Sequence, residues 1–209
     1  LTTDSLDYDR MRNIAYYFSG GMIEDSLNTL TSLWGQYTPD DNQALFSGEV
    51  QLLHPKFVLT SDTLCYNTAT YRADLVSPTR IVYEHETTIL SSNGWYNTQT
   101  EHSMLLDRSL IVHIDGMTLT GDTIYYDKQA GYGKVLGGMQ SVDSTNQMTL
   151  YGNEGEVWEH DKRGYVTDSA LLVEWSDSTT YSYMHADTLF TKEVEYQTFV
   201  LTPVDSVLV

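Results

Sequence analysis

Four aspartates, Asp4, Asp62, Asp122 and Asp187, share one local context, and carboxylates are what general acid–base chemistry would need. Their recurrence argues against that use. An active site is built once, whereas an aspartate returning at a fixed interval is a turn former or a ladder hydrogen bonder. The 6 histidines, His54, His85, His102, His113, His160 and His185, are scattered, with no pair spaced so that a helix or hairpin presents two imidazoles to one metal. The run Gly131-Tyr-Gly-Lys-Val-Leu-Gly137 has the look of a phosphate loop, but no helix start follows it. Cys65 lies between Leu64 and Tyr66 in a strand-like run and is expected to face away from both. No nearby base is marked out to activate its thiol. No catalytic residue, metal ligand or cofactor is therefore assigned, and a non-enzymatic role is expected. An enzyme acting on polysaccharide along a β-solenoid would need carboxylates converging at one rung only.

The aspartates belong to a sentence written about seven times. With Asp122 as reference, the equivalent positions are Asp4, Leu33, Asp62, Ser92, Asn153 and Asp187. A period of about 30 residues signals a repeat architecture. Three residues before the reference stand Leu1, Leu30, Leu59, Ile89, Leu119, Leu150 and Met184; four after it stand Tyr8, Tyr37, Tyr66, Tyr96, Tyr126 and Val157. Eleven after it comes a small column, Ala15, Ala44, Ala73, Ser103, Gly133 and Gly164. Two further comes a large apolar one, Tyr17, Phe46, Leu75, Leu105, Val135 and Val166. Small beside large in fixed register is how stacked rungs interdigitate. The column two after the reference alternates, Leu6, Gly35, Leu64, Gly94, Ile124, Gly155, Leu189, so the structural period could be a pair of repeats, about 60 residues.

Each repeat supplies at least two strands. Leu1 to Tyr8 alternates as a strand does, Asp9 to Asn13 is a polar turn, and Ala15 to Gly21 is a second strand ending on glycine. Thr38-Pro-Asp-Asp-Asn42 is a turn in which proline presets the backbone. Bends are expected near Ser19, Gly48, Ser77 and Gly137, and Pro78 marks one because proline is confined to sheet edges and bulges. Nothing reads as a helix. The last stretch, from Met184, restarts the pattern, but its later columns fit poorly and Pro203 interrupts them. Whether neighbouring repeats run as parallel coils or antiparallel hairpins is open at this level.

Lys plus Arg number 11 and Asp plus Glu 29, for a net charge of −18. That excludes nucleic acid, which needs a basic footprint, and disfavours docking on an anionic membrane. No run approaches the roughly 18 apolar residues of a membrane-spanning helix. One continuous all-β domain over residues 1–209 is expected. Leu1 already occupies a repeat column and Val209 falls inside a seventh repeat, so both ends are expected to be cut or processed, with room upstream for a removed signal peptide or anchor.

The sentence Leu-Thr-x-Asp-x-Leu-x-Tyr-Asn/Asp, then a polar turn, then Ala and Gly before Val or Ile, resembles the repeat of the LptA/OstA family, the periplasmic bridge proteins of lipopolysaccharide export. It is clearest at Leu59 to Ala73 and Leu119 to Gly138, and the likeness covers residues 1 to about 190. The resemblance implies an elongated antiparallel β-jelly roll folded into an open V, a β-taco, with an apolar inside that holds acyl chains. It implies a periplasmic, non-enzymatic carrier of lipopolysaccharide or a related glycolipid. Its partners would be LptC-like and LptD-like jelly-roll modules, or copies of itself, joined by edge-strand addition. The groove candidates are Leu59, Leu64, Tyr66 and Leu75 in the third repeat and Leu119, Ile124, Tyr126 and Val135 in the fifth. Trp34, Trp95, Trp158 and Trp175 are bulky enough to plug such a groove, and the negative charge assigns acyl chains rather than phosphorylated headgroups to the protein. The rival reading is a structural or adhesive cell-surface β-repeat protein with a dry core, binding protein or glycan.

Overall fold

The computed structural model describes residues 2–24, 27–176 and 179–193. The alternation of apolar and polar residues produces strands almost throughout, and each polar cluster between them makes a hairpin turn. Five passes of the chain are split into two short strands: β1 Thr2–Thr3 with β2 Asp7–Asp9, β3 Ile14–Tyr17 with β4 Gly21–Glu24, and β5 Thr29–Ser32 with β6 Trp34–Thr38. Then follow unbroken β7 Gln43–His54 and β8 Phe57–Asn67. Split passes return with β9 Arg72–Leu75 and β10 Thr79–Tyr83, and β11 Thr87–Ser91 and β12 Asn93–Asn97. Six long strands complete the sheet: β13 His102–His113, β14 Met117–Asp127, β15 Tyr132–Asp143, β16 Met148–Trp158, β17 Arg163–Trp175 and β18 Tyr181–Lys192. A 3-10 turn at Pro39–Asp41 closes on Asn42, in the turn where proline stands.

Every pairing is antiparallel and joins consecutive passes, so the open choice between coils and hairpins resolves to hairpins. One 30-residue repeat is two passes. The alternating Leu/Gly column therefore sits on every second pass, all running in the same direction. The seventh repeat contributes β18; its later columns, with Pro203, lie outside the described residues.

Each pass bends at its middle, and the two halves lie in two facing walls. In every second pass the bend falls at the reference column, between β5 and β6 at Leu33 and between β11 and β12 at Ser92. A hydroxyl just before it turns the chain: Ser32 Oγ donates to the Trp34 carbonyl at 2.9 Å, Ser61 Oγ to that of Thr63 at 3.0 Å, and Ser91 Oγ to that of Asn93 at 2.8 Å. In the intervening passes the bend is a bulge of paired left-handed residues, Gly48 and Glu49, Asp107 and Arg108, Gly137 and Gly138, and Asp168 and Ser169. Glycine at 137 has two reasons: its φ is +77°, and a Cβ there would lie 2.5 Å from the Asp122 carboxylate. Pro78 occupies the break between β9 and β10, as expected of a residue that cannot donate to a ladder.

The recurrent aspartates Asp62, Asp122 and Asp187 stand exposed along the outside of this bend line, where Arg108 reaches Asp122 at 3.3 Å. They are bend residues. The core fills the inside of the bend from both walls. Leu30, Leu52, Leu59 and Ile81 come from one wall and Phe46, Leu64, Leu75, Leu105, Ile124 and Val135 from the other.

Candidate functional site: the interior between two walls

Strand alternation sends every second residue inward, and the register turns sequence columns into ladders. On one wall, successive cross-strand partners read Tyr8, Ala15, Tyr37, Ala44, Tyr66, Ala73, Tyr96, Ser103, Tyr126, Gly133, Val157 and Gly164. Large and small alternate at every rung, so each ring leans over a neighbour with little or no side chain. Nearer the bend runs Phe46, Leu64, Leu75, Gly94, Leu105, Ile124, Val135, Gly155 and Val166. The opposite wall presents Ile23, Leu30, Leu52, Leu59, Ile81, Ile89, Ile111 and Leu119.

Of the groove candidates, Leu59, Leu64, Leu75, Ile124 and Val135 lie deep in the bend, at 0, 0, 1, 3 and 6% exposure, in mutual contact across the walls. Tyr66 and Leu119 are half-buried against that core. Tyr126 is half-buried at the rim, where its hydroxyl donates to Glu159 at 3.0 Å. Burial, then the Glu159 charge, raises its phenol above the ordinary tyrosine value. The four tryptophans do not plug the interior. By alternation Trp34, Trp95, Trp158 and Trp175 lie on the convex face, where Arg72 covers Trp95 and Arg163 covers Trp158 at 4.9 and 4.7 Å. They stand an odd number of residues after the reference on strands whose inward positions are even, or the reverse past a bulge.

The interior opens into a cavity in the first repeats. A cavity of ≈ 410 Å³ lies between the walls, lined by Leu6, Ala15, Tyr17, Ile23, Leu30, Tyr37, Ala44, Phe46, Leu52, Tyr66 and Tyr71 among others. Only Tyr66 among these was a groove candidate. Apart from Tyr71, the others named occupy the same columns in repeats one and two, together with a column nineteen after the reference, Ile23, Leu52, Ile81 and Ile111, which the repeat pattern also contains. The Tyr17 ring is wedged between Gly21 and Gly35, and its hydroxyl lies 2.6 Å from Ser32 Oγ.

Past this cavity the mouth of the V is bridged. Phe57 on one wall meets Tyr96 on the other edge-to-face at 5.2 Å. Lys56, in the hairpin at one rim, pairs with Glu101, in a hairpin at the other, at 2.5 Å. Lys128 lies 5.3 Å above the Tyr83 ring, again rim to rim. Beyond the bridge, among the last strands, apolar side chains are more open: Met184 is 57% and Val157 43% exposed.

On the convex face Tyr125, Tyr132, Trp158, Tyr165 and Phe190 form a cross-strand aromatic ladder. Glu156 lies among them. Burial opposes its charge, but the Lys134 ammonium at 2.8 Å and the Tyr165 and Tyr132 hydroxyls hold its carboxyl below the usual range. A depressed folded-state value means stability that is present above the ordinary carboxylate pKa and lost as pH falls through the folded one. Glu156→Gln is therefore expected to flatten the fall in Tm between about pH 5 and about pH 3, measured by calorimetry; an unchanged slope would show the contact is idle. Among the described residues no group of histidines, cysteines and acids could hold a metal.

Fold and interior together define a class: an elongated, V-folded antiparallel roll with an apolar inside and no assembled reactive constellation among the described residues. The family described as OstA-like protein matches residues 1–62, the first two repeats. Over those residues the chain is similar to that family, and the ladders that begin there run on through β18. No curated protein matches the chain. Among solved structures, the chain is similar to LptH, the LptA-homologous periplasmic component of the conserved lipopolysaccharide transport device from Pseudomonas aeruginosa. The two are 17% identical, over 58% of this chain and 80% of that one, with a TM-score of 0.39.

Proposed function

We propose that this protein is a non-enzymatic lipid-carrying bridge module of the periplasm, holding the acyl chains of lipopolysaccharide or a related glycolipid between its two walls. The observation that carries the reading is the interior itself. Largely apolar ladders line both walls, interrupted at Ser103 and Ser141, and open into a cavity at one end and a half-covered trough at the other. Each buried methylene contributes about 0.8 kcal/mol without directional preference, which suits a passenger that must move along its carrier. The OstA-like match at residues 1–62 supports the same class. With a net charge of −18, phosphorylated headgroups stay outside the walls.

Assembly follows from the edge. Among the described residues β18 pairs on one side only, with β17, and leaves Tyr183 and Phe190 at 69 and 79% exposure. A related jelly-roll module or a second copy can add its own strand there.

A second reading has its own observation. Leu59, Leu64 and Leu75 are sealed, and the mouth is bridged by Lys56 and Glu101, as in a dry-core structural or adhesive repeat protein. Photo-crosslinking separates the two. Probes at Tyr66, Leu119 and Tyr126 are expected to capture lipopolysaccharide or its lipid A part, while probes at Thr63 and Thr123 on the convex face capture none. Equal labelling at both sets, or none at either, would favour the dry core.

A further inference from the structure

We propose that the cavity of the first repeats is a closed-ended compartment for one aliphatic chain of about sixteen carbons, bounded toward the third repeat by Leu52 and Tyr66. The inference rests on the lipid-carrying reading for its ligand class and on this cavity for the rest.

The room comes from small residues. Ala15 and Ala44 alternate with Tyr37 on one ladder, while the space over Gly35 is taken by the Tyr17 ring. The lining is mostly hydrocarbon, with Asn28, Gln36 and Thr68 among it; the Tyr17 hydroxyl lies 2.6 Å from Ser32 Oγ and that of Tyr66 lies 3.2 Å from Thr98 Oγ1. An apolar cavity of about 150 Å³ takes the six carbons of benzene, so ≈ 410 Å³ takes about sixteen. That is one chain, not a bundle.

The inner end is shut. Leu52 and Tyr66 line the cavity, and the next rungs, Leu59 and Ala73, are both 0% exposed, which leaves no gap between the walls at the bend. Behind that end, toward the mouth, Phe57 packs against Tyr96. The Lys56–Glu101 pair ties the rims together over that contact. A chain entering the cavity must stop at that end unless the two rims part.

The test is a chain-length series with the full-length protein. Saturated lysophosphatidylcholines from twelve to twenty carbons, below their micellar concentrations, compete with a neutral apolar fluorophore bound in the interior. Affinity is expected to rise about fourfold per methylene and then stop rising at about sixteen carbons. Tyr66→Leu, which shortens a side chain lining the inner end, should move that break to longer chains. Ala15→Leu, which adds carbons to the lining without emptying the core, should move it about three carbons shorter. A rise that continues through twenty carbons, no dependence on length, or a break at the same length in a folded variant would overturn the proposal. Should Tyr66→Leu fail to fold, Ala15→Leu alone decides it. If lysolipids show the break while lipopolysaccharide does not crosslink inside, the transport reading falls and the compartment stands. If lipopolysaccharide crosslinks and no break appears, the compartment falls and the transport reading stands.

Discussion

Leu64→Ala is expected to destabilise the protein by about 3–5 kcal/mol, read as a shift in the urea midpoint. Leu64 is 0% exposed, sits opposite Phe46 and Leu75 on its own wall, and faces the Leu59 ladder of the other. Deleting its side chain removes contacts from both walls where they pack against each other, and backbone on either side is held by ladders that prevent collapse into the void. A domain's whole stability is about 5–15 kcal/mol, so one such change removes a large share of it. Leu119→Ala, at a half-buried rung, should cost about 1–2 kcal/mol. Equal losses at the two positions would mean that depth in the bend does not set the energetics. Hydrogen exchange adds a spatial readout, because the backbone of each pass is hydrogen-bonded only to that of its neighbours. Protection should fall most in β7, β8 and β9.

The second large effect is expected at Gly35. A Cβ there would lie 2.5 Å from the Tyr17 ring, and one added at Gly21 would lie 2.6 Å from the same ring, so the ring is packed against both glycines. Its hydroxyl is further held beside Ser32. Gly35→Leu, which would write the third repeat's residue into the second, should therefore cost at least about 3 kcal/mol through overpacking, more than the same column's other residues suggest. The check is a double-mutant cycle with Tyr17→Ala: combined with the loss of the ring, the added leucine should be tolerated far better, giving a coupling of about 1–3 kcal/mol. Simple additivity would show that the glycine is there for some reason other than the ring.

That tyrosine also bears on the cavity, since it and Phe46 form the floor under Ala15 and Ala44. The same alternation of large and small that knits the ladder makes the room. Where the sequence places Leu or Ile two after the reference, as at Leu64 and Ile124, the space between walls is filled.

Much of this was legible from the chain alone, for a physical reason. Strand periodicity is two and the turns are short, so columns spaced by one repeat must become rungs of one ladder. The columns led by Tyr8, Ala15 and Tyr17 are observed as ladders with the register their spacing implies. The bend at Pro78, the outward Cys65 and the structural role of the recurrent aspartates follow from equally local rules. The outward direction of the four tryptophans was also present in the sequence, as the parity of their distance from the reference position.

Tertiary structure alone decided how the two walls meet. A ladder's register says which residues share a face, not how far away the opposite face lies, because that distance is set by side chains from other passes. Hence Leu59, Leu64, Leu75, Ile124 and Val135 proved to be the sealed depth of the bend, while Tyr66, Leu119 and Tyr126, in the same kinds of column, stand half-open. The closure of the mouth is of the same kind. Lys56 and Glu101 lie 45 residues apart in two unremarkable hairpins. Only the fold of one wall onto the other gives them a common site.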